Sequence, residues 1–369
     1  MTGSAAMGAA LVLPSCRRRR RQFSGYAFVA NQESQAIAAV DLALFAVTRY
    51  IRLEGAPTAI VADPPRQTVY ALTPANGLVH EVRADRLALG RTLPVARSAV
   101  TMRLSPDGQR IYVLCRDPRR FVSIALKNFR VEWFADLDGD PFDFDVAQTG
   151  SHAAVSYGKT GAIQLIDLST RRAAPLQTVT SEAGSLRFVG DRKKLENLLV
   201  ADLSGQMLQA LQVPSGRLIT KLSLGVRPEH FCFNADGGQV FITGTGMDAV
   251  VIVYPYYTPQ IGETVLAGRS PGAMAASPTM LFIANSQSGD ISIFNIESRR
   301  MLGVAPAGTN PSFITITPDN EYALVLNQDS GDMAVLWIPA MTRHNGRISP
   351  LFNMIPVGSK PVAAAVLPM

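Results

Sequence analysis

Short runs of mostly apolar residues, separated by turns rich in Pro, Asp, Asn and Gly, recur along nearly the whole chain with a period of roughly 42 residues. Each repeat contains four such runs, and none of them has the spacing of an amphipathic helix. Four short strands per repeat predict an all-β fold, a β-propeller built from four-stranded antiparallel blades. One equivalent position in the first run of each repeat falls at Val61, Arg103, Asp145, Arg187, Cys232, Ala275, Thr315 and Ala365.

The repeats predict eight blades, with seven as the alternative because the last step, from Thr315 to Ala365, is longer than the others. The first repeat lacks an inner strand, since residues 26–31 already have the pattern of a second strand. An additional strand pattern occurs at the other end of the chain, over residues 362–367. We therefore expect the C-terminal strand to complete the first blade, which would leave few strand edges unpaired.

The unbroken repeat predicts one propeller domain over residues 25–369, preceded by a separate segment over residues 1–24. Hydrophobic residues make up 47% of the chain and charged residues 17%, which excludes a largely disordered protein. No run reaches the roughly 18 apolar residues that a membrane-spanning helix requires.

The net charge of +6 comes mostly from a block of consecutive arginines, Arg17 to Arg21, so the rest of the chain is almost electrically balanced. It contains no helix-turn-helix, zinc finger or aromatic RNA-binding motif. We therefore expect no binding of nucleic acid, and we expect a monomer.

The N-terminal segment has an apolar stretch that ends in Leu13-Pro-Ser-Cys16, directly before the arginines. This sequence resembles the end of a bacterial lipoprotein signal, in which the cysteine is lipidated. The resemblance implies a protein of the periplasm or cell surface, anchored in the membrane through Cys16, with arginines close to anionic headgroups. The alternative is a disordered basic tail on a cytoplasmic protein.

Several repeats carry a common motif. It is clearest in Leu281-Phe-Ile-Ala-Asn-Ser286 followed by Gly289-Asp-Ile-Ser-Ile-Phe294, in Ala27-Phe-Val-Ala-Asn31, and in the turn Ser105-Pro-Asp-Gly108. At these residues the chain resembles the YVTN-type bacterial β-propeller repeat family, whose relatives include lactonase-like and quinoprotein-type propellers. The resemblance implies an extracytoplasmic or surface-associated binding protein.

Polar residues on the inner strands mark the first candidate site. Four consecutive repeats place charged or polar side chains on one face of the inner strand, namely Arg103, Asp143 and Asp145, Arg187, and His230. One interpretation is a set of ion pairs between blades, with Asp145 flanked by the guanidinium groups of Arg103 and Arg187. The other is a charged half-ring that binds a small polar or anionic ligand in the central canal.

Two connections that interrupt the regular repeat mark a second candidate surface. One is Tyr254-Pro-Tyr-Tyr257, with Tyr254, Tyr256 and Tyr257. The other runs from Met341 to Arg347 and includes Thr342, Arg343, His344 and Arg347. Both are expected between third and fourth strands, hence on the same rim of the propeller. Exposed aromatic residues beside basic residues suit a surface for a protein partner.

Motifs for catalysis and metal binding are absent from the sequence. There is no Gly-x-Ser-x-Gly nucleophile turn, no phosphate-binding loop, and no pair of His or Cys residues at ligand spacing. We therefore predict no metal and no cofactor, and a non-enzymatic scaffold that binds an unknown protein or a small polar ligand. The alternative is a lactonase-like hydrolase or isomerase, with Asp143 or Asp145 and His230 as acid-base groups.

Overall fold

A computed structural model describes residues 23–190, 196–343 and 349–369 of the protein. These residues form eight antiparallel sheets, the blades of one ring. The prediction of an all-β, eight-bladed propeller is confirmed. The long last step of the repeat contains a short helix and its flanking connection, which is why it does not correspond to a missing blade.

The first four blades follow one another in chain order, and in blades 2 to 4 the chain runs from the inner strand to the outer. Blade 1 contains β1 (Gly25–Asn31), β2 (Ala36–Asp41) and β3 (Ala46–Arg52). Blade 2 contains β4 (Ala59–Asp63), a 3-10 turn (Pro64–Arg66), β5 (Thr68–Thr73), β6 (Leu78–Arg83) and β7 (Ala88–Pro94). Blade 3 contains β8 (Ser98–Leu104), β9 (Arg110–Asp117), β10 (Arg119–Ala125) and β11 (Arg130–Asp136). Blade 4 contains β12 (Asp143–Val146), β13 (His152–Ser156), β14 (Ala162–Asp167), β15 (Arg172–Ala173) and β16 (Gln177–Thr178).

The remaining blades follow the same order. Blade 5 contains β17 (Ala183–Val189), β18 (Asn197–Asp202), β19 (Met207–Gln212) and β20 (Arg217–Ser223). Blade 6 contains β21 (His230–Phe233), β22 (Val240–Thr243), β23 (Ala249–Tyr254) and β24 (Gln260–Leu266). Blade 7 contains β25 (Pro271–Ala276), β26 (Met280–Asn285), β27 (Asp290–Asn295) and β28 (Met301–Pro306). Blade 8 contains β29 (Pro311–Ile316), β30 (Tyr322–Asn327), β31 (Asp332–Trp337), α1 (Pro339–Arg343) and β32 (Leu351–Pro356). The last strand is β33 (Pro361–Pro368).

The ring closes through β33, which pairs antiparallel with β1 and supplies the missing inner strand of blade 1. Tyr26 faces Leu367 and Phe28 faces Ala365 in this pairing. The backbone N–H of Met369 also donates to the carbonyl oxygen of Ser24 at 3.0 Å. The two ends of the propeller domain are therefore neighbours, as predicted.

The hydrophobic core lies between the blades, because each sheet packs both of its faces against neighbours. Phe28 and Ile37 of blade 1, for example, are fully buried in one cluster with Val69 of blade 2. All residues of β5, β18, β26 and β30 are buried. Burial on both faces explains why the second strands have continuous apolar sequences. Among the described residues, no helix has the length and hydrophobicity needed to cross a bilayer.

Antiparallel strands divide the connections between two rims. One rim contains the turns from first to second and from third to fourth strands, including residues 42–45, 255–259 and 338–343. We call it the N-terminal rim, because the chain enters β1 on this side, beside Met369. The opposite rim contains the other connections. The inner strands run between the two rims and line the canal.

Candidate functional site

The candidate canal residues lie on the inner strands of four consecutive blades. Arg103 is on β8, Asp143 and Asp145 are on β12, Arg187 is on β17, and His230 begins β21. Because alternate residues of a strand point to the same side, Asp143 and Asp145 share one face of β12. This face is turned toward the two arginines of the neighbouring blades.

Asp143 joins three blades. Its Oδ1 accepts a hydrogen bond from Nη2 of Arg103 at 3.0 Å, and its Oδ2 accepts one from Nη1 of Arg187, also at 3.0 Å. The Asp143 side chain is only 12% exposed, whereas 31% of the Arg103 side chain and 21% of the Arg187 side chain are reached by solvent. Charge-assisted hydrogen bonds at this depth fix the relative positions of blades 3, 4 and 5.

Asp145 has a different environment. Its Oδ2 accepts a hydrogen bond from the backbone N–H of Phe188 at 2.9 Å, while its Oδ1 lies 3.9 Å from Nε of Arg103. That Nε instead donates to the carbonyl oxygen of Phe144 at 2.6 Å. Within the described part of the chain, Oδ1 of Asp145 therefore accepts no hydrogen bond and faces the canal with 18% of the side chain exposed.

The predicted interblade ion pairs are present, but the bridging carboxylate is Asp143 and not Asp145. The reason is that Asp145 is engaged by a backbone N–H of β17, which holds it away from Arg187. Both arginines are long enough to reach back along β12 to Asp143. The backbone donor Phe188 and the backbone acceptor Phe144 have no sequence signature, so neither contact was predicted.

The two carboxyl groups have pKa values shifted in opposite directions. Burial alone would raise the pKa of Asp143, but the guanidinium groups of Arg103 and Arg187 outweigh it and hold this pKa below its ordinary value. For Asp145, burial raises the pKa above its ordinary value. The two guanidiniums and the Phe188 N–H offset burial only in part, and the charge of Asp143 raises the pKa further.

The arginines retain hydrogen-bond donors that no described residue uses. Arg187 donates to Asp143 and to the Leu186 carbonyl through Nη1 alone, so its Nε and Nη2 remain available. Its guanidinium carbon lies 6.0 Å from the centre of the Phe231 ring. A guanidinium presents Nε and Nη2 side by side, which matches the two oxygens of a carboxylate.

His230 is on the same side of the canal but does not join the cluster. It is exposed to the canal, and it forms no hydrogen bond or ion pair with the four other candidates. Its Nε2 would lie 3.6 Å from a Cβ atom added to Gly272, so it faces the next blade. Burial lowers the pKa of the imidazole and so favours its neutral form, and the charge of Glu229 opposes this effect only in part.

The cysteines of the propeller offer no nucleophile. Cys115 and Cys232 are free, and they lie in blades 3 and 6. Burial raises the pKa of both thiols to about 12. Both are therefore protonated at neutral pH, and a thiol is a poor nucleophile compared with a thiolate.

The predicted partner surface is assembled only in part. Tyr254 accepts a hydrogen bond from Arg299 at 3.1 Å, whereas Tyr256 and Tyr257 are 60% and 78% exposed on the N-terminal rim. The second predicted connection begins at Met341 in α1, which follows the third strand of blade 8 on the same rim, two blades away. Its predicted residues His344 and Arg347, like Cys16, lie outside the described residues, as do the side chains of Thr342 and Arg343.

Comparison with known proteins identifies the fold. No family model and no curated protein matches the chain. Among solved structures, "Dihydro-heme d1 dehydrogenase NirN in complex with DHE" matches with a TM-score of 0.76 and 13% identity, over 95% of this chain and 77% of that one. A putative 6-phosphogluconolactonase from Bacteroides fragilis NCTC 9343 matches with a TM-score of 0.59 and 16% identity, over 84% and 97%. Hydrazine synthase from Kuenenia stuttgartiensis matches with a TM-score of 0.58 and 15% identity, over 77% and 99%.

These matches overturn the prediction of a non-enzymatic scaffold, which is wrong. NirN and the putative 6-phosphogluconolactonase are named as enzymes, and they favour the alternative prediction of an enzyme. Identities this low show the fold alone. The matches show the β-propeller fold, which the resemblance to the YVTN-type repeat family implied.

Proposed function

We propose that the protein is an enzyme, a lactonase-like hydrolase or an isomerase, that acts on a small substrate with a polar reacting group in the canal. The observation that carries this proposal is the pair of carboxyl groups on β12, whose pKa values the same surroundings shift in opposite directions. In many active sites with such a pair, one carboxyl group stays ionised and the other one transfers a proton.

In the proposed site, Asp145 is the acid-base group. Its Oδ1 is free of hydrogen bonds from the described residues and faces the canal. Asp143 is a positioning residue, since it stays ionised and holds Arg103 and Arg187 in place. Arg187 binds the substrate carbonyl or carboxylate through Nε and Nη2.

For a lactone, Asp145 takes a proton from a water molecule while the water oxygen attacks the carbonyl carbon. The negative charge that develops on the carbonyl oxygen is stabilised by the guanidinium of Arg187. The ring C–O bond then breaks, and the proton returns from Asp145 to the leaving oxygen. For an isomerase, Asp145 would instead remove a proton from a carbon next to a carbonyl and return it to another atom of the same substrate.

The names of two matching structures support an enzyme by analogy, since one is a dehydrogenase and the other a putative lactonase. Fold analogy raises the expectation of chemistry in the canal, but it does not select the reaction. The choice of reaction is supported by the candidate site residues on β8, β12 and β17.

The test is an assay of sugar and aromatic lactones with a pH indicator, together with proton exchange of keto acids in deuterated water. We expect Asp145→Asn to lose activity by about 100-fold or more, because the amide cannot carry the proton. Asp136→Asn is the matched control, since it makes the same change on the outer strand of blade 3, where 75% of the Asp136 side chain is exposed. Full activity of Asp145→Asn, or equal losses in both variants, would contradict the proposal.

We also propose that the protein is exported and anchored through Cys16. The support is the sequence Leu13-Pro-Ser-Cys16 and the arginine block that follows it. Labelling with radioactive palmitate should mark the wild type and leave Cys16→Ser unlabelled. Equal labelling of the two chains, or none of the wild type in its own host, would exclude this anchor.

A further inference from the structure

The canal wall is divided into a polar half and a half of small apolar side chains. The inner-strand positions of blades 3 to 6 carry the charged and polar groups of the candidate site. The same positions in blades 7, 1 and 2 carry small apolar residues, and blade 8 adds one aromatic ring and one hydroxyl group. The residues of this second half are Ala273, Ala275, Phe313, Thr315, Ala363, Ala365, Ala59 and Val61.

Some of these residues are partly open to the canal, whereas Ala363 and Ala365 of blade 1 are buried in the cluster around Phe28. Ala59, Val61, Ala273 and Ala275 are half-buried in the inner strands of blades 2 and 7. Neighbouring blades cover both faces of each inner strand, and the second strand of the blade covers its outer edge. Solvent therefore reaches these residues from the canal. Because Ala59, Ala273 and Ala275 have small side chains, they extend less far into the canal than the arginines of the polar half do.

Two features of the polar half add to this contrast. Phe231 and Phe233 on β21 are half-buried beside Arg187 and His230, so part of an aromatic surface reaches the canal next to a guanidinium. Gly272 has no side chain where a Cβ atom would contact His230, which leaves room beside the imidazole. The canal is thus lined by the guanidinium of Arg187, the aromatic ring of Phe231 and, on the other side, small apolar residues.

From this arrangement we infer that the canal binds an amphipathic organic acid, with its carboxylate on Arg187 and an apolar body against the alanine-lined half. The inference names the substrate class of the proposed enzyme and so rests on the proposed function. A purely polar sugar acid would leave the alanine wall in contact with water. A neutral apolar compound would leave Nε and Nη2 of Arg187 without an acceptor.

The test compares three small probes with the full-length chain: 2-naphthoate, which is apolar and anionic; gluconate, which is polar and anionic; and 2-naphthol, which is apolar and neutral. Binding is measured by titration calorimetry and by the midpoint of thermal unfolding. We expect 2-naphthoate alone to bind, and to raise the midpoint by about 2–4 °C at saturating concentration. Stronger binding of gluconate than of 2-naphthoate would overturn the inference.

Two variants test the two halves of the wall separately. Arg187→Gln removes the guanidinium and should weaken 2-naphthoate binding about tenfold or more. Because Arg187 also holds Asp143, this variant could be less stable, so Ala273→Leu provides the second test by filling the apolar half without touching the ion pairs. We expect Ala273→Leu to weaken the binding of 2-naphthoate as well.

Tyr257→Ser, on the exposed rim, is the control and should bind 2-naphthoate like the wild type. Unchanged affinity in both canal variants, or the same loss in Tyr257→Ser, would overturn the inference. These experiments measure binding without turnover. Binding of 2-naphthoate with no activity toward any lactone or keto acid would refute the proposed enzyme while leaving the ligand class intact.

Discussion

Asp143 and Asp145 illustrate how two identical side chains acquire different properties from their neighbours. Asp143 receives hydrogen bonds from two guanidiniums, whereas Asp145 receives one from a backbone N–H. Coulombic attraction thus exceeds the cost of burial for Asp143 and falls short of it for Asp145. The difference gives each residue a distinct contribution to stability as the pH changes.

The two carboxyl groups should affect stability with opposite signs. The folded-state pKa of Asp143 is lowered, so its stabilising contribution is present above the unfolded-state pKa and is lost as the pH falls through the folded-state value. The folded-state pKa of Asp145 is raised, so its contribution is present below the unfolded-state pKa and is lost as the pH rises through the folded-state value.

At neutral pH we therefore expect Asp143→Asn to lower the free energy of unfolding by about 3 kcal/mol, because both arginines lose their anionic partner. Asp145→Asn should leave it unchanged or raise it. Urea unfolding at neutral pH and near pH 3 measures both effects, and the two variants should approach the wild type at the acidic pH. A large loss in Asp145→Asn at neutral pH would show that Asp145 is the main ionic link between blades.

Residue identities on the canal wall were predictable, but their pairing was not. The inner strands alternate strictly, so Arg103, Asp143, Asp145 and Arg187 could be assigned to one face from their spacing alone. Which carboxylate bridges the arginines depends on a backbone N–H of Phe188 and on side-chain conformations. Neither the backbone contact nor the side-chain conformations can be predicted from the pattern of residue types.

The blades share one strand arrangement, and in most of them the pairing of the outermost strand is irregular. In every blade except blade 4, the pairing of third and fourth strands contains a shift in register. Such bulges twist an outer strand and make its free edge a poor template for another chain. In blade 4 the outer strand is interrupted between β15 and β16, where Pro175 has no N–H to donate.

The turns of blade 4 provide a matched pair of glycines. Gly161 and Gly150 both have a positive φ, of 65° and 70°. A Cβ atom on Gly161 would collide with the carbonyl oxygen of Thr180, whereas no atom lies within 4 Å of a Cβ atom added to Gly150. We expect Gly150→Ala to cost about 1 kcal/mol through backbone strain alone.

Gly161→Ala should cost about 3 kcal/mol, because the strain is joined by a collision with backbone. Chemical denaturation of both variants measures the difference. Equal losses would mean that the chain near Thr180 moves aside without cost.

Ring closure is a property of the complete propeller. Blade 1 has its inner strand only because β33 pairs with β1. Removing residues 361–369 should expose the edge of β1 and leave the Phe28 cluster open to water. We expect that truncated chain to aggregate and to lose a cooperative unfolding transition.

Deletion of Met369 alone is the control, since it leaves β33 intact. Size-exclusion chromatography and thermal unfolding distinguish the two chains. A monomeric, cooperatively unfolding protein without residues 361–369 would mean that seven blades and an open edge suffice for the fold.

The number of blades and the closure of the ring by the C-terminal strand could be predicted from the sequence, because the repeat is strong and nearly uniform. The strand predicted over residues 26–31 lies within β1, and that predicted over residues 362–367 lies within β33. Function was harder to predict for the same reason, because the residues that repeat are the ones that pack the blades together and they carry no information on the site. The residues that carry chemistry are few, and they occupy positions where other blades have alanine, valine, threonine or phenylalanine.

The pairing of β1 with β33 also sets an order of events during synthesis. These strands are separated by nearly the whole length of the chain, so β1 has no partner on its inner edge until the ribosome has made the final residues. Blades 2 to 8 consist of local contacts and can form as they emerge, whereas closure is the most distant contact of the fold and must come last. Until β33 has been made, the inner edge of β1 is free to pair with another chain, so the unfinished ring is more prone to aggregate than the closed one.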